Sequence, residues 1–194
     1  MGRKSHGSDF SGGQSACLVA LITLFLIGAV VGSFFAANLG PGGQGLVAGF
    51  FGSAAGRGIW PLLQMAALES ALLLFVFASA FFPLGLAVAP LVMGIKGFVL
   101  SLLVSAFVKT LGARGYAAAL ALIVPGGFTS VACMVLVGLQ AMTLAARRVG
   151  RAGRGRMPTD WAYFFTGGIA WALIGLATAL SCYITPLMGR AAGL

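Results

Sequence analysis

Acidic residues are nearly missing from this chain. Its 194 residues include three, Asp9, Glu69 and Asp160, against twelve Lys and Arg, and charged residues of both signs make up 8%. Soluble domains carry roughly a quarter. So small a polar inventory cannot cover a compact globule in water, which excludes a soluble enzyme or soluble binding domain. Histidine is limited to His6, in the N-terminal tail, where it reads as solvated. The cysteines Cys17, Cys133 and Cys182 lie in apolar stretches without metal-ligand spacing. That pattern excludes a disulfide framework and reads as small packed hydrophobes. Paired carboxylates within reach of each other, a His-rich set and a nucleotide-binding loop are lacking too, so neither catalytic residues nor a cofactor nor a metal is expected.

What is present is apolar: 60% of the residues are hydrophobic. The fold class this implies is all-α, a polytopic transmembrane helical bundle, because about 20 consecutive apolar residues span the hydrocarbon core as a helix. Residues 1–15 read as a cytoplasmic N-terminal tail, 16–190 as the transmembrane domain and 191–194 as a short C-terminal tail. Five spans are expected, at about 17–37, 62–82, 86–108, 116–146 and 161–186. The first competes with a cleaved signal peptide. Its apolar run is long for one, and Phe35 is too bulky three positions before a cut at Ala37, so an uncleaved anchor is the reading adopted. The segment 38–58 is rich in glycine and contains Pro41. It breaks helix and can be re-entrant, interfacial or outside. Pro125-Gly126-Gly127 interrupts the fourth apolar run, which is too long for one straight crossing, so that span is expected to be kinked. Trp161, Tyr163 and Tyr183 read as interfacial anchors of the fifth span, with Trp171 too deep for that role.

The basic residues punctuate the apolar runs. They do not gather with stacking aromatics, so the net charge of +9 fits anionic lipid headgroups and not nucleic acid. With the N terminus inside, the inner segments carry seven cations: Arg3, Lys4 and the loop of Arg147, Arg148, Arg151, Arg154 and Arg156. The outer segments carry four: Arg57, Lys109, Arg114 and Arg190. The positive-inside rule then places the N terminus inside and the C terminus outside. The arginine loop fixes topology and touches lipid; docking of an acidic cytoplasmic partner is its other reading.

Glu69 and Lys96 are isolated charges in otherwise apolar spans. Each costs about 2.5–3.5 kcal/mol at mid-helix on the insertion scale. They sit at similar distances from the turn near Pro83, so they are expected at similar depth, paired across neighbouring antiparallel spans. Otherwise Lys96 snorkels outward and Glu69 sits protonated in a polar pocket. A lysine-activated serine, Lys96 with Ser101 or Ser105, is the formal enzymatic reading; hydroxyl side chains in spans more often join helices. Gly28 and Gly32 form a GxxxG pair, and Gly94 and Gly97 flank Lys96. Both sets suit close helix packing within the chain or in a homodimer.

The run Gly94-Ile95-Lys96-Gly97-Phe98-Val99-Leu100, followed by Gly112, Gly115 and Pro125, resembles the central region of the stage II sporulation protein M family of integral membrane proteins. The specific part lies at about 86–140, with Gly94, Lys96, Gly97, Phe98 and Pro125 as the motif positions. Family members often carry polar amides directly after the proline, where this chain has Gly126, Gly127 and Phe128. The resemblance implies a bacterial cytoplasmic membrane protein, at the septal or engulfing membrane, that positions two membrane-anchored peptidoglycan hydrolases, the stage II sporulation proteins D and P, during forespore engulfment.

Two functions are thus expected from different directions. One is a non-enzymatic membrane scaffold for peptidoglycan remodelling. The other is a small transporter or channel component acting as an oligomer, for which intramembrane charges and a broken span are the ingredients.

Overall fold

A computed structural model of the chain describes residues 8–40, 42, 59–82, 84–112, 116, 124–149 and 161–191. The architecture is all-α. Among the described residues five helices follow in order: α1 (Ser8–Asn38), α2 (Ile59–Ser79), α3 (Gly85–Leu111), α4 (Thr129–Val149) and α5 (Trp161–Ala191). A π-helical turn, Val124–Phe128, leads into α4. Helix is the form such sequence must take in lipid, because it satisfies every backbone group within the segment. Among the described residues four stretches are long and apolar enough to cross a membrane: Gly13–Asn38, Gly85–Ala106, Gly126–Arg147 and Trp161–Ala179. The corresponding apolar stretch of α2, among residues with described side chains, is Ala66–Ser79.

Helix α4 is the hub, packing against each of the other four helices. Cys133, Met134, Val137, Ala141, Met142 and Ala145 are buried along it, at the three- and four-residue spacing of one helix face. Leu21 of α1, Leu73 and Val76 of α2, Val92 and Met93 of α3, and Ala170 and Ile174 of α5 complete the core. The outward faces are apolar as well. Val30 and Phe34 of α1 and Phe165 of α5 are exposed, as side chains bathed in lipid should be.

Helix α1 packs most extensively on α3, and glycine is the reason. A Cβ added at Gly28 would run into the carbonyl of Gly94, one at Gly32 into that of Phe98, and one at Gly97 into that of Phe25. These are backbone atoms, which cannot swing aside, so only hydrogen at those positions lets the two helices meet so closely. The residue order rises together on both helices, so α1 and α3 are parallel. Lys109 closes the far end of this pair. Its ammonium donates to the carbonyls of Ala36 (2.9 Å) and Ala37 (2.6 Å), while Asn38 Nδ2 donates to Phe34 O and the Leu39 amide to Phe35 O. The last carbonyls of α1, which no further helical turn can serve, are thereby satisfied, and the cation sits at the negative end of the helix dipole.

A tight turn joins α2 to α3. The amides of Ala80, Phe81 and Phe82 donate to the carbonyls of Phe77, Ala78 and Ser79, and Gly85 donates to Phe82. A side chain at Gly85 would strike the Ser79 carbonyl. Helix α3 ends at Gly112, whose φ of 60° is the left-handed conformation that glycine adopts without strain. Helix α5 lies antiparallel to α2. Phe77 stacks on Tyr163 (centroids 4.5 Å apart, planes 2° apart) and abuts Gly167, while the earlier Leu73 and Leu74 line a groove with the later Gly168 and Trp171. Helix α4 is antiparallel to α3, since Ser130 lies level with Lys96 and Gly138 faces Ala89. Helices α1, α3 and α5 therefore run one way, and α2 and α4 the other.

Candidate functional site: a three-helix polar junction

Glu69 lies ten residues before the end of α2 and Lys96 eleven residues after the start of α3 (79 − 69 and 96 − 85). At about 1.5 Å per residue, both stand about 15 Å from the turn. The Lys96 ammonium donates to Glu69 Oε1 and forms an ion pair with it. The other carboxylate oxygen accepts the hydroxyl of Ser130, on α4, at 2.5 Å. One carboxylate thus joins three helices, with each oxygen committed to a different partner.

Burial is uneven across this junction. The Lys96 side chain is 5% exposed and that of Glu69 27%, while Ser130 is buried. The ammonium is sealed inside the bundle and the carboxylate is its cover. A buried charge is tolerable when it is both paired and hydrogen-bonded. The Lys96 ammonium is engaged by α2, across the hairpin, and not by Ser101 or Ser105 of its own helix.

Gly94, Lys96, Gly97 and Phe98 divide between two seams. Gly94, Gly97 and the Phe98 backbone form the floor on which α1 lies, and the Phe98 ring meets that of Phe35 at 5.9 Å. Lys96, between the glycines, projects to Glu69 of α2. Pro125 belongs to the π-helical turn Val124–Phe128, which ends two residues before Ser130. Gly28 and Gly32 are consumed by α3 within the chain, so dimerisation through them would require α1 to leave. Arg147 is exposed near the C-terminal end of α4. The side chain of Arg148 and all of Arg151, Arg154 and Arg156 lie outside the described residues, as do the N-terminal cations, Arg57, Arg114 and most of the 38–58 segment.

Three features escaped the sequence reading. Ser130 is one of many serines in spans; its place in the first turn after the Pro-Gly-Gly break was the available signal. Lys109, expected as a flanking charge of an outer loop, turns inward onto the end of α1. Tyr163, expected as an interfacial anchor, is buried at 4% exposure. Its ring stacks on Phe77 and its hydroxyl donates to the Phe77 carbonyl at 2.8 Å, which the Ala80 amide reaches as well. Trp161 and Trp171 do remain exposed. Lower on α4, Gln140 Nε2 reaches Thr166 Oγ1 of α5 at 3.2 Å.

Fold and junction together define a multi-pass helical membrane protein. Comparison with protein-family models, with curated proteins and with solved structures finds no match to this chain.

Proposed function

We propose that this protein is a non-enzymatic scaffold of the bacterial cytoplasmic membrane that positions membrane-anchored peptidoglycan hydrolases. The observation that carries this reading is the use made of the polar groups. Glu69, Lys96 and Ser130 are spent on one another, tying three helices together, and the lipid-facing sides of α1 and α5 stay apolar and free for partner helices. The similarity of residues 94–100 and Pro125 to the stage II sporulation protein M family supplies the partners, the stage II sporulation proteins D and P, and the setting, forespore engulfment. Co-purification with a peptidoglycan hydrolase from native membranes is the expected result. Deletion of the gene should disturb septal peptidoglycan and engulfment, seen by fluorescence microscopy; normal engulfment would remove the sporulation role.

Five crossings fit this scaffold best. Because α1 and α3 are parallel, the chain has to return between them, and α2 is the helix that lies there. The kinked fourth span is supported by the π-helical turn on Pro125-Gly126-Gly127, since such turns bend helices. Five arginines in the loop after α4 favour the N terminus inside.

A transporter component is the second reading, favoured by the partly exposed intramembrane carboxylate of Glu69 beside a helix irregularity. Robust solute or ion flux in proteoliposomes of purified protein would select it over the scaffold.

A further inference from the structure

We propose that Glu69 is a charge-gated latch: its ionised carboxylate holds α2 closed over Lys96, and neutralising it opens the junction between α2, α3 and α4.

The inference rests on the asymmetry of the three partners. Ser130 has a hydroxyl that can donate or accept, so it keeps a hydrogen bond to Glu69 whichever form the carboxyl takes. Lys96 has no such freedom. Its ammonium has three donors and no acceptor, it is almost fully buried, and Glu69 Oε1 is its counter-charge. Loss of the Glu69 charge therefore leaves an ammonium sealed in apolar surroundings beside a neutral group. A buried charge without its partner sheds its proton, moves or draws in water, and the last two part the helices that enclose it. The surroundings offer no replacement among the described residues. On α4, Ser130 is followed one turn on by the neutral thiol of Cys133. The turn Val124–Phe128 has no charged residue, nor does α5 from Trp161 to Ala179. Tyr163 is the titratable group α5 presents to α2, and it sits two turns away on the Phe77 carbonyl. Glu69 itself is the more exposed member of the pair, so the change of charge is made at the open side and its consequence is felt at the closed one.

Cys133 is a built-in reporter. It is buried in the same cluster as Leu73 and Val76 of α2, one turn beyond Ser130. In full-length protein in lipid nanodiscs, with Cys17 and Cys182 replaced by Ser, the rate of Cys133 modification by the small uncharged reagent methyl methanethiosulfonate reads the opening. E69Q should react on the order of tenfold faster than the parent at neutral pH, the ratio that about 1.4 kcal/mol in an opening equilibrium produces. E69Q/K96M, with neither charge, should return to the parent rate. Two results would each overturn the proposal: an E69Q rate equal to the parent's, or an E69Q/K96M rate as fast as that of E69Q.

Discussion

Lys96 shows how one side chain can be both a liability and a tie. Alone at mid-bundle its ammonium opposes insertion; opposite Glu69 it links α3 to α2. Its removal leaves a half-buried carboxylate with Ser130 as its one remaining partner in the junction, and breaking a buried pair costs about 3–5 kcal/mol. K96M is therefore expected to lower the unfolding free energy by about that amount, measured by detergent-induced unfolding in mixed micelles. E69Q/K96M should recover most of the loss, because two neutral groups leave no charge unmatched. A double variant as unstable as the sum of the singles would mean the two residues do not interact. Lys109 is a milder case. Its ammonium caps α1 from outside that helix, so K109M should cost about 0.3–1 kcal/mol. K109R, which keeps the charge, should restore most of it.

The close seam between α1 and α3 depends on hydrogens where side chains would stand. G28L or G97L should separate the two helices, with a loss of about 1–3 kcal/mol or more. The expected sign is faster proteolysis near the end of α1, while G138A is tolerated, since a Cβ there meets the Leu21 side chain at an ordinary 3.6 Å. This seam was half legible from sequence. The GxxxG spacing of Gly28 and Gly32 marked a packing face, but spacing says nothing about which helix lies against it. The partner emerges when Gly94 and Gly97 are seen on one face of α3 and Lys96 on another. The pairing of Glu69 with Lys96 was legible for a different reason: a short turn makes neighbouring spans antiparallel, so counting residues from the turn fixes depth. Ser130 and Tyr163 were not legible, because α4 and α5 are far from α2 in sequence and no local pattern encodes their register against it. Aromatic residues near a span end suit an interface by default; Tyr163 departs from that default because the end of α2 offers it a ring to stack on and a carbonyl that accepts its hydroxyl.

Across the whole molecule, parallel α1, α3 and α5 alternate with α2 and α4, and the proposed five crossings would put the ends of α1 and α3 on one side of the membrane and the α2–α3 turn on the other. Composition alone gave the environment, since long uncharged stretches are stable in lipid and not in water. It gave the number of helices less securely, because α2 carries a charge and its described apolar stretch is short. The parallel glycine seam is the observation that favours the proposed crossing by α2.

Cysteine mapping tests this alternation most directly. Single cysteines placed at Gly40, Leu84, Gly112 and Arg147, each in a cysteine-free background, are exposed to a membrane-impermeant maleimide in intact cells and again after permeabilisation. Gly40 and Gly112 are expected to label in intact cells, and Leu84 and Arg147 after permeabilisation alone. Labelling of Leu84 on the same side as Gly40 would mean that α2 does not cross, and the parallel packing of α1 on α3, with the charge junction inside it, would be wrong.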